Sequence, residues 1–342
     1  MKRQGYVIKK VADMDNLRLA FWKAKRGKQA KKSVQDYQKN LSVELVLLQE
    51  QILSGNVDVG DYHFFKIYDP KERQICAAAF RERVLHNALM NICHDDFERY
   101  QIFDSYASRK GKGTYAALER AKYYTKKYDW FLKLDVRKFF YSIPHEILKT
   151  QLKRLYKDGI LLEIFDKIID TIAFDEKGLF IPVSNQNINK GIPIGNLTSQ
   201  YFANHYLAVA DHFVTEQLRA EGYVRYMDDM VLWGNDKTKL LKKGKQFEDF
   251  IKKKLDLELK PFCLNQTKKG LSFLGYRLFP HQVLLNQRSA RRFKSKLKRY
   301  DYNLQNNIWT QKSYQHHVEP LVAFTEYADM NWWRKTIIKD NG

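Results

Sequence analysis

Residues 223–233, YVRYMDDMVLW, constrain this chain more than any other stretch. Two short runs rich in Tyr, Val, Leu and Trp, 223–227 and 230–233, flank the adjacent carboxylates Asp228 and Asp229. Such residues suit a pleated, half-buried surface, so both runs predict strands, and the Asp pair between them predicts a tight hairpin turn. Neighbouring carboxylates in an apolar setting repel unless a cation lies between them. The hairpin therefore points to a metal site that needs a third carboxylate from elsewhere.

Residues 128–144, YDWFLKLDVRKFFYSIP, supply one. Trp130, Leu132, Leu134 and Val136 alternate with Phe131, Lys133 and Asp135. The spacing predicts a strand with one apolar face and Asp135 on the other, followed by a helix from Pro144. His94-Asp95-Asp96 is a weaker metal candidate, because consecutive helix residues do not share a face.

Charge decides the class of partner. Sixty Lys and Arg against 39 Asp and Glu give a net charge of +21. That excess favours a polyanion, most often nucleic acid, and 21 Tyr with 21 Phe suit a groove that meets phosphates and base faces together. No apolar run reaches the roughly 18 residues of a membrane span, and the charged first residues do not read as a signal peptide. The expectation is a cytoplasmic protein without a membrane partner. Cys76, Cys93 and Cys263 have no metal-ligand spacing and read as small buried apolar residues.

The remaining chain falls into helices and basic loops. Leu41, Leu45, Leu48 and Ile52 share one helical face that ends at Ser54-Gly55-Asn56. The basic run at 23–32 reads equally as a solvated face or a nucleic-acid contact. Residues 61–75 predict a hairpin turning at Asp69-Pro70-Lys71-Glu72, with Lys66 and Arg73 on opposite strands placed to reach one anion. A helix is expected at 80–97. The Gly-rich loop 104–114 carries Arg109, Lys110 and Lys112, suited to a polynucleotide backbone, before a helix at 115–127. Residues 191–218 predict a Gly-Pro-Gly turn and a long helix capped by Asn196 or Thr198, with 203, 206, 207, 210, 213, 214 and 217 lining one side. A helix at 237–257, a hairpin at 271–279 centred on Gly275, and a basic helical tail with Arg288, Arg291 and Arg292 complete the chain.

Taken in order, the 61–75 hairpin, the 104–114 loop, Asp135, the GIPIG turn, YMDD and FLGY resemble the reverse transcriptase family over roughly residues 40 to 285. Where most members carry Pro-Gln-Gly, this chain has Pro193-Ile194-Gly195, continuing as GNLTSQ to Gln200. That turn, with DPKERQI, SYASRKGKGT and RYMDD, looks like the reverse transcriptases of diversity-generating retroelements. Retron enzymes are similar, but their Val-Thr-Gly is not found here.

The resemblance implies an α+β right-hand polymerase: N-terminal helices and fingers (1–127), a palm whose antiparallel sheet is backed by helices (128–282), and a short helical thumb (283–342). The residues after FLGY suffice only for a thumb, not for an RNase H, maturase or endonuclease domain. It implies two Mg²⁺ ions, replaceable by Mn²⁺, about 3.5–4 Å apart, held by Asp135, Asp228, Asp229 and the Val136 carbonyl. Lys66 and Arg73 would grip the deoxynucleoside triphosphate beside Ile194 and Gly195. Phe140 would exclude a 2′-hydroxyl; the family usually follows it with Asp, here Tyr141. Lys260, in competition with Lys268, would protonate pyrophosphate. Gln200 would contact template or primer, and Phe273, Leu274, Gly275 and Tyr276 would form the primer grip. Partners implied are template RNA, primer, cDNA and an oligomer of a small basic accessory variability protein.

Ile194 lacks the polar group of the usual Gln, which removes one hydrogen-bonding constraint near the template–nucleotide pair. The resemblance implies cDNA with errors opposite template adenines, which then replaces a variable region in a target gene. Other lineages (retron, group II intron-like or phage-defence) form the alternative. A non-catalytic RNA-binding protein is disfavoured by the presence of all three aspartates, and an RNA polymerase by Phe140.

Overall fold

A computed structural model describes residues 3–68, 72–174, 180–181 and 189–341. The chain opens with four helices, α1 (Ile8–Val11), α2 (Met14–Lys25), α3 (Lys32–Lys39) and α4 (Leu41–Ser54). Asp13 caps α2 by accepting the amides of Asp15 and Asn16, and Leu17, Ala20, Phe21 and Ala24 form its buried side. Helix α4 buries Leu45, Leu48 and Ile52 as the spacing predicts, and ends at Gly55 in the left-handed region (φ +72°). Strands β1 (Tyr62–Ile67) and β2 (Arg73–Ala78) pair antiparallel, with Lys66 opposite Gln74 and Ile67 opposite Arg73. Of the expected turn at 69–72, residues 69–71 lie outside the described residues. Helix α5 (Phe80–Tyr100) follows, three residues longer than expected.

The central unit contains α6 (Thr114–Lys127), β3 (Trp130–Asp135), α7 (Phe139–Ser142), α8 (His145–Leu155), α9 (Gly159–Ile169), β4 (Ala173–Phe174) and β5 (Phe180–Ile181). It continues through α10 (Leu197–His212), a π-helical turn (Phe213–Gln217), β6 (Gly222–Tyr226), β7 (Asp229–Gly234), α11 (Lys237–Leu255) and β8 (Cys263–Gln266). Four strands form an antiparallel sheet in the order β6-β7-β3-β8. One face, carrying Leu132, Leu134, Tyr223, Met230 and Leu232, joins the main core. The other was expected to be polar, yet Phe131, Val224, Val231 and Trp233 are buried there against α6 and a second small sheet. Only its far end, with Lys133, Asp135 and Asp229, lies beyond that apolar cover, and this places the acids.

The second sheet is β11-β10-β9, built from β9 (Leu271–Phe273), β10 (Tyr276–Leu278) and β11 (Val283–Leu285). Phe273 pairs with Tyr276 across Leu274 and Gly275, both at positive φ (+46° and +92°), the geometry a right-twisted two-residue hairpin favours. Helices α12 (Gln287–Gln305), α13 (Gln311–Glu326) and α14 (Asn331–Asn341) close the chain, with Phe293, Leu297 and Tyr300 forming the buried stripe of α12.

Three local expectations change. Helix α10 is buried on most of its surface rather than along one side, with Gln200 exposed near its start, because it packs against α5, α8 and α11, and Gln217 beyond it is exposed. Asn196 makes no side-chain cap, its amide donating instead to Tyr62 Oη at 3.2 Å. Cys76 and Cys93 are buried, but Cys263 is exposed at the edge strand β8.

Candidate active site

The two-residue turn between β6 and β7 is Met227-Asp228, since Tyr226 pairs with Asp229. Asp229 is therefore the first strand residue rather than a turn residue. Met227 takes a left-handed φ of +55°, a conformation that costs a non-glycine residue energy and clusters at functional sites. Asp135 sits directly opposite Asp229 in the β3–β7 register, so both project from the same face. Three carboxylates are thus gathered at the open end of the sheet.

Their charges are strained. Burial, reinforced by the negative charge of Asp135, raises the Asp228 carboxyl above its ordinary range. Burial pushes Asp229 up to about 6, with Asp135 and Asp228 adding to the shift and Lys133 opposing it. Lys133 Nζ lies 3.0 Å from each Asp229 oxygen, donates to Oδ2, and donates also to the Ser272 carbonyl at 2.9 Å. Asp229 Oδ1 is buried without a hydrogen-bond partner. Lys260 Nζ donates to Asp135 Oδ1 at 2.5 Å, and its amide donates to the Asp135 carbonyl at 2.8 Å. Of the two candidate lysines, Lys260 is the one bonded to an acid, while Lys268 is exposed on the turn after β8.

Among the described residues, no three His, Cys, Asp or Glu side chains converge as a finished ligand set. Asp135 and Asp229 are each drawn to a lysine. The donor chemistry nevertheless fits a hard divalent cation: two raised carboxyls, a buried Asp229 Oδ1 that accepts no hydrogen bond although the Lys133 ammonium lies 3.0 Å away, and mutual repulsion are what bound Mg²⁺ would relieve. Val136, whose carbonyl was an expected ligand, is fully buried and bridges to Leu259. His94 contacts Tyr201 Oη at 3.0 Å and Asp96 pairs with Arg99, so that trio forms no site.

Behind the turn lies support that sequence reasoning missed. Arg225, fully buried, pairs with fully buried Asp211 of α10 through Nε at 2.8 Å and Nη2 at 2.7 Å. It also donates to Asn204 Oδ1 at 3.0 Å, to Gln101 Oε1 at 3.1 Å and to the Met227 carbonyl at 3.2 Å, and Tyr223 Oη donates to Asp211 at 2.7 Å. The guanidinium thereby anchors the backbone of the Met227-Asp228 turn. An Arg inside an otherwise apolar strand was the available signal, because a buried charge requires a partner.

The GIPIG turn joins this site to the β1–β2 ribbon. Cys76 donates its amide to the Ile194 carbonyl at 2.8 Å, and Ile192 donates to the Phe140 carbonyl at 2.8 Å. Gly195, at φ +122°, leaves no room for a side chain: a Cβ would lie 3.0 Å from Ile75 Cγ2 and 3.1 Å from the Cys76 carbonyl oxygen. Ile194 and Phe140 are each half-buried. Tyr141, whose role the sequence left unstated, packs on Phe174 with ring centroids 4.7 Å apart and on the cluster around Cys76.

The register corrects one pairing. Lys66 and Arg73 are offset by one position, so their side chains leave the ribbon on opposite faces. Arg73's charge is felt by Asp228, whereas Lys66 pairs with Glu72 at 2.6 Å.

The expected nucleic-acid contacts divide similarly. Arg109 is spent inside the protein, on Glu98 of α5 at 2.6 Å and on the carbonyls of Ile102 and Ser105 at 2.5 and 2.7 Å. Lys112 folds over the Phe103 ring, 3.5 Å from its centroid, and donates to the Phe103 carbonyl at 3.0 Å. Lys110 is exposed, as are Gln200, which accepts from Ser108 Oγ at 3.2 Å, and Arg288, Arg291 and Arg292 on α12. Phe273 and Tyr276 are buried, Leu274 and Gly275 half-buried, and the hairpin touches the acids through Lys133 and Ser272.

The family described as "Reverse transcriptase (RNA-dependent DNA polymerase)" matches residues 69–278, more than half of the chain. The chain belongs to the reverse transcriptase family. Two proteins of Saccharomyces cerevisiae are similar to it: the putative COX1/OXI3 intron 1 protein, 22% identical over 173 residues, and the putative COX1/OXI3 intron 2 protein, 23% identical over 141 residues. These matches cover 48% and 41% of this chain but only 20% and 16% of the yeast proteins. Among solved structures, apo telomerase from Candida tropicalis aligns with a TM-score of 0.52 at 12% identity, over 82% of this chain and 59% of that one. Its complex with a fragment of telomeric RNA aligns with a TM-score of 0.50, also at 12% identity, over 88% and 59%. These likenesses support the right-hand polymerase fold.

Proposed function

We propose that this chain is an RNA-directed DNA polymerase that joins deoxynucleotides to a primer 3′-hydroxyl at Asp135, Asp228 and Asp229. The observation that carries the proposal is the placing of these three carboxylates at the one open end of the sheet, two with raised pKa values. Asp135, Asp228 and Asp229, with the Val136 carbonyl, would hold two Mg²⁺ ions. Bound there, the metal would neutralise charge on the triphosphate and on the attacking and leaving oxygens. Arg73 faces this end of the ribbon and would meet the triphosphate. Phe140, held through its carbonyl by the Ile192 amide, would lie under the sugar and exclude a 2′-hydroxyl. Lys133 ties Asp229 to the Ser272 carbonyl and so fixes the acids relative to the primer-side hairpin.

At finer grain, the proposed system is a diversity-generating retroelement that makes adenine-mutagenic cDNA from a template-repeat RNA with a small basic accessory protein. Supporting it are the GIPIGNLTSQ block and Ile194, whose side chain offers no hydrogen bond beside the fingers ribbon. A group II intron-like enzyme is the second reading, favoured by the likeness to the two yeast intron proteins.

Primer extension on a defined RNA template with Mg²⁺, using wild type and Asp228→Ala, tests both levels. The variant is expected to retain less than about one hundredth of the activity, the scale of losing a preorganised charge at the reacting phosphate. Variant activity within tenfold of wild type would remove Asp228 from the chemistry. Sequenced products with errors mainly opposite adenine support the retroelement reading; faithful cDNA supports the intron-like one.

A further inference from the structure

Three stretches of more than 20 residues in this basic chain carry no Lys or Arg, and one of them holds α4. Residues 40–65 contain no Lys or Arg and four acidic residues, Glu44, Glu50, Asp58 and Asp61, in a chain of net charge +21. Of the other two, 191–218 belongs mostly to the buried helix α10, where lack of charge needs no further account, and 313–333 lies along and after α13, whose exposed residues include the polar Gln315, His316, Glu319 and Glu326. Helix α4 is different because it is at the surface and apolar on both sides. Leu45, Leu48 and Ile52 face the core. Val43, Val46, Leu47 and Leu53 follow at the spacing of the opposite face and are 70%, 46%, 40% and 44% exposed. Glu50 falls in the middle of that outer stripe and is exposed. Arg81 approaches Glu44 and Asp58 at 3.8 Å each, but comes from α5, on the flank of the stripe.

An apolar stripe with an acidic centre repels a nucleic-acid backbone and, through Glu50 meeting Glu50, disfavours a symmetric copy of itself. We propose that the outer face of α4 is a docking surface for an amphipathic helix of a basic protein, whose apolar side lies along Val43, Val46, Leu47 and Leu53 and whose Lys or Arg meets Glu50. Helix-on-helix docking of this kind reads its partner through anchors at i, i+3, i+4 and i+7. The proposal stands on the charge pattern and the exposed face, and needs neither the polymerase chemistry nor the retroelement assignment.

The test uses the whole chain and a fluorescent 18-residue Leu/Lys peptide with Leu at i, i+3, i+4 and i+7, read by anisotropy in physiological salt. Its acidic twin replaces each Lys with Glu. The Lys peptide is expected to bind wild type at least tenfold more tightly than Val43→Ser/Leu47→Ser or Glu50→Lys. The acidic twin, drawn to basic surfaces elsewhere, should bind all three proteins alike. Primer extension by the two variants should match wild type, which shows them folded and keeps this result separate from any failure of the catalytic reading. Equal binding of the Lys peptide to all three proteins, or none to wild type, overturns the proposal. So does wild-type self-association that the substitutions abolish, which assigns the face to a second copy, or displacement of the peptide by an RNA oligonucleotide, which assigns it to nucleic acid.

Discussion

Removing either member of the Arg225–Asp211 pair should cost stability, and the two removals should differ. Both side chains are fully buried, and Asp211 takes hydrogen bonds from Arg225 and Tyr223. Breaking a buried pair leaves an uncompensated charge and costs about 3–5 kcal/mol, a large part of the roughly 5–15 kcal/mol that a folded protein has in total. Asp211→Asn strands a guanidinium that cannot shed its proton. Arg225→Met strands a carboxyl that can protonate and keep Tyr223 as partner. Asp211→Asn is therefore expected to be the worse of the two at neutral pH. Only Arg225→Met is expected to improve as pH falls, since protonation removes its stranded buried charge. Arg225→Met/Asp211→Leu should recover most of the lost stability, because apolar replacement removes both desolvation penalties. It should not recover primer extension, since the Met227 carbonyl loses its donor at 3.2 Å. Equilibrium urea unfolding at pH 7 and pH 5, with extension rates measured alongside, gives all of these. A loss below about 1 kcal/mol in both single variants would show that the pair does not bear on the fold. Full activity in the double variant would remove Arg225 from positioning the turn.

Two further outcomes follow from close packing and burial. Gly275→Ala places a methyl group 2.8 Å from Phe324 Cζ at a φ of +92°, so α12–α14 should lose hydrogen-exchange protection, at a cost of about 1–3 kcal/mol; unchanged protection in these helices would contradict the packing. Burial pushes the His205 imidazole down to about 4, so the unfolded chain binds its proton first: stability is full above pH 6.5 and falls by up to roughly 3 kcal/mol as pH drops to 4. His212, whose pKa is raised by Glu216 and the Tyr100 carbonyl against the opposing effect of burial, contributes with the opposite sign, so the His205 effect is the difference between wild type and His205→Gln over pH 4–7. Identical acid limbs in the two proteins would refute it.

Local chemistry made much of this protein legible in one dimension. The strand alternation around Asp135, the turn chemistry at Leu274-Gly275, the apolar face of α4 and its Gly55 stop depend on periods of two and 3.6 residues and on backbone freedom, which neighbours in the chain decide. The three aspartates were legible because like charges inside apolar strands demand an explanation within a few residues. What needed the tertiary structure is everything set by residues far apart. Arg225 in an apolar strand calls for a partner, but that the partner is Asp211 follows only from the packing of α10 against β6. Arg109 reads as a phosphate ligand until Glu98 and two carbonyls are seen to occupy it. Lys66 and Arg73 read as partners until a one-residue register turns them to opposite faces. Lys133 and Lys260 acquire their places from Asp229 and Asp135 across the sheet. A side chain's type states what it can bond to; which partner it finds is decided by pairing register and by layers packed from distant segments, and neither is written in any short window of the chain.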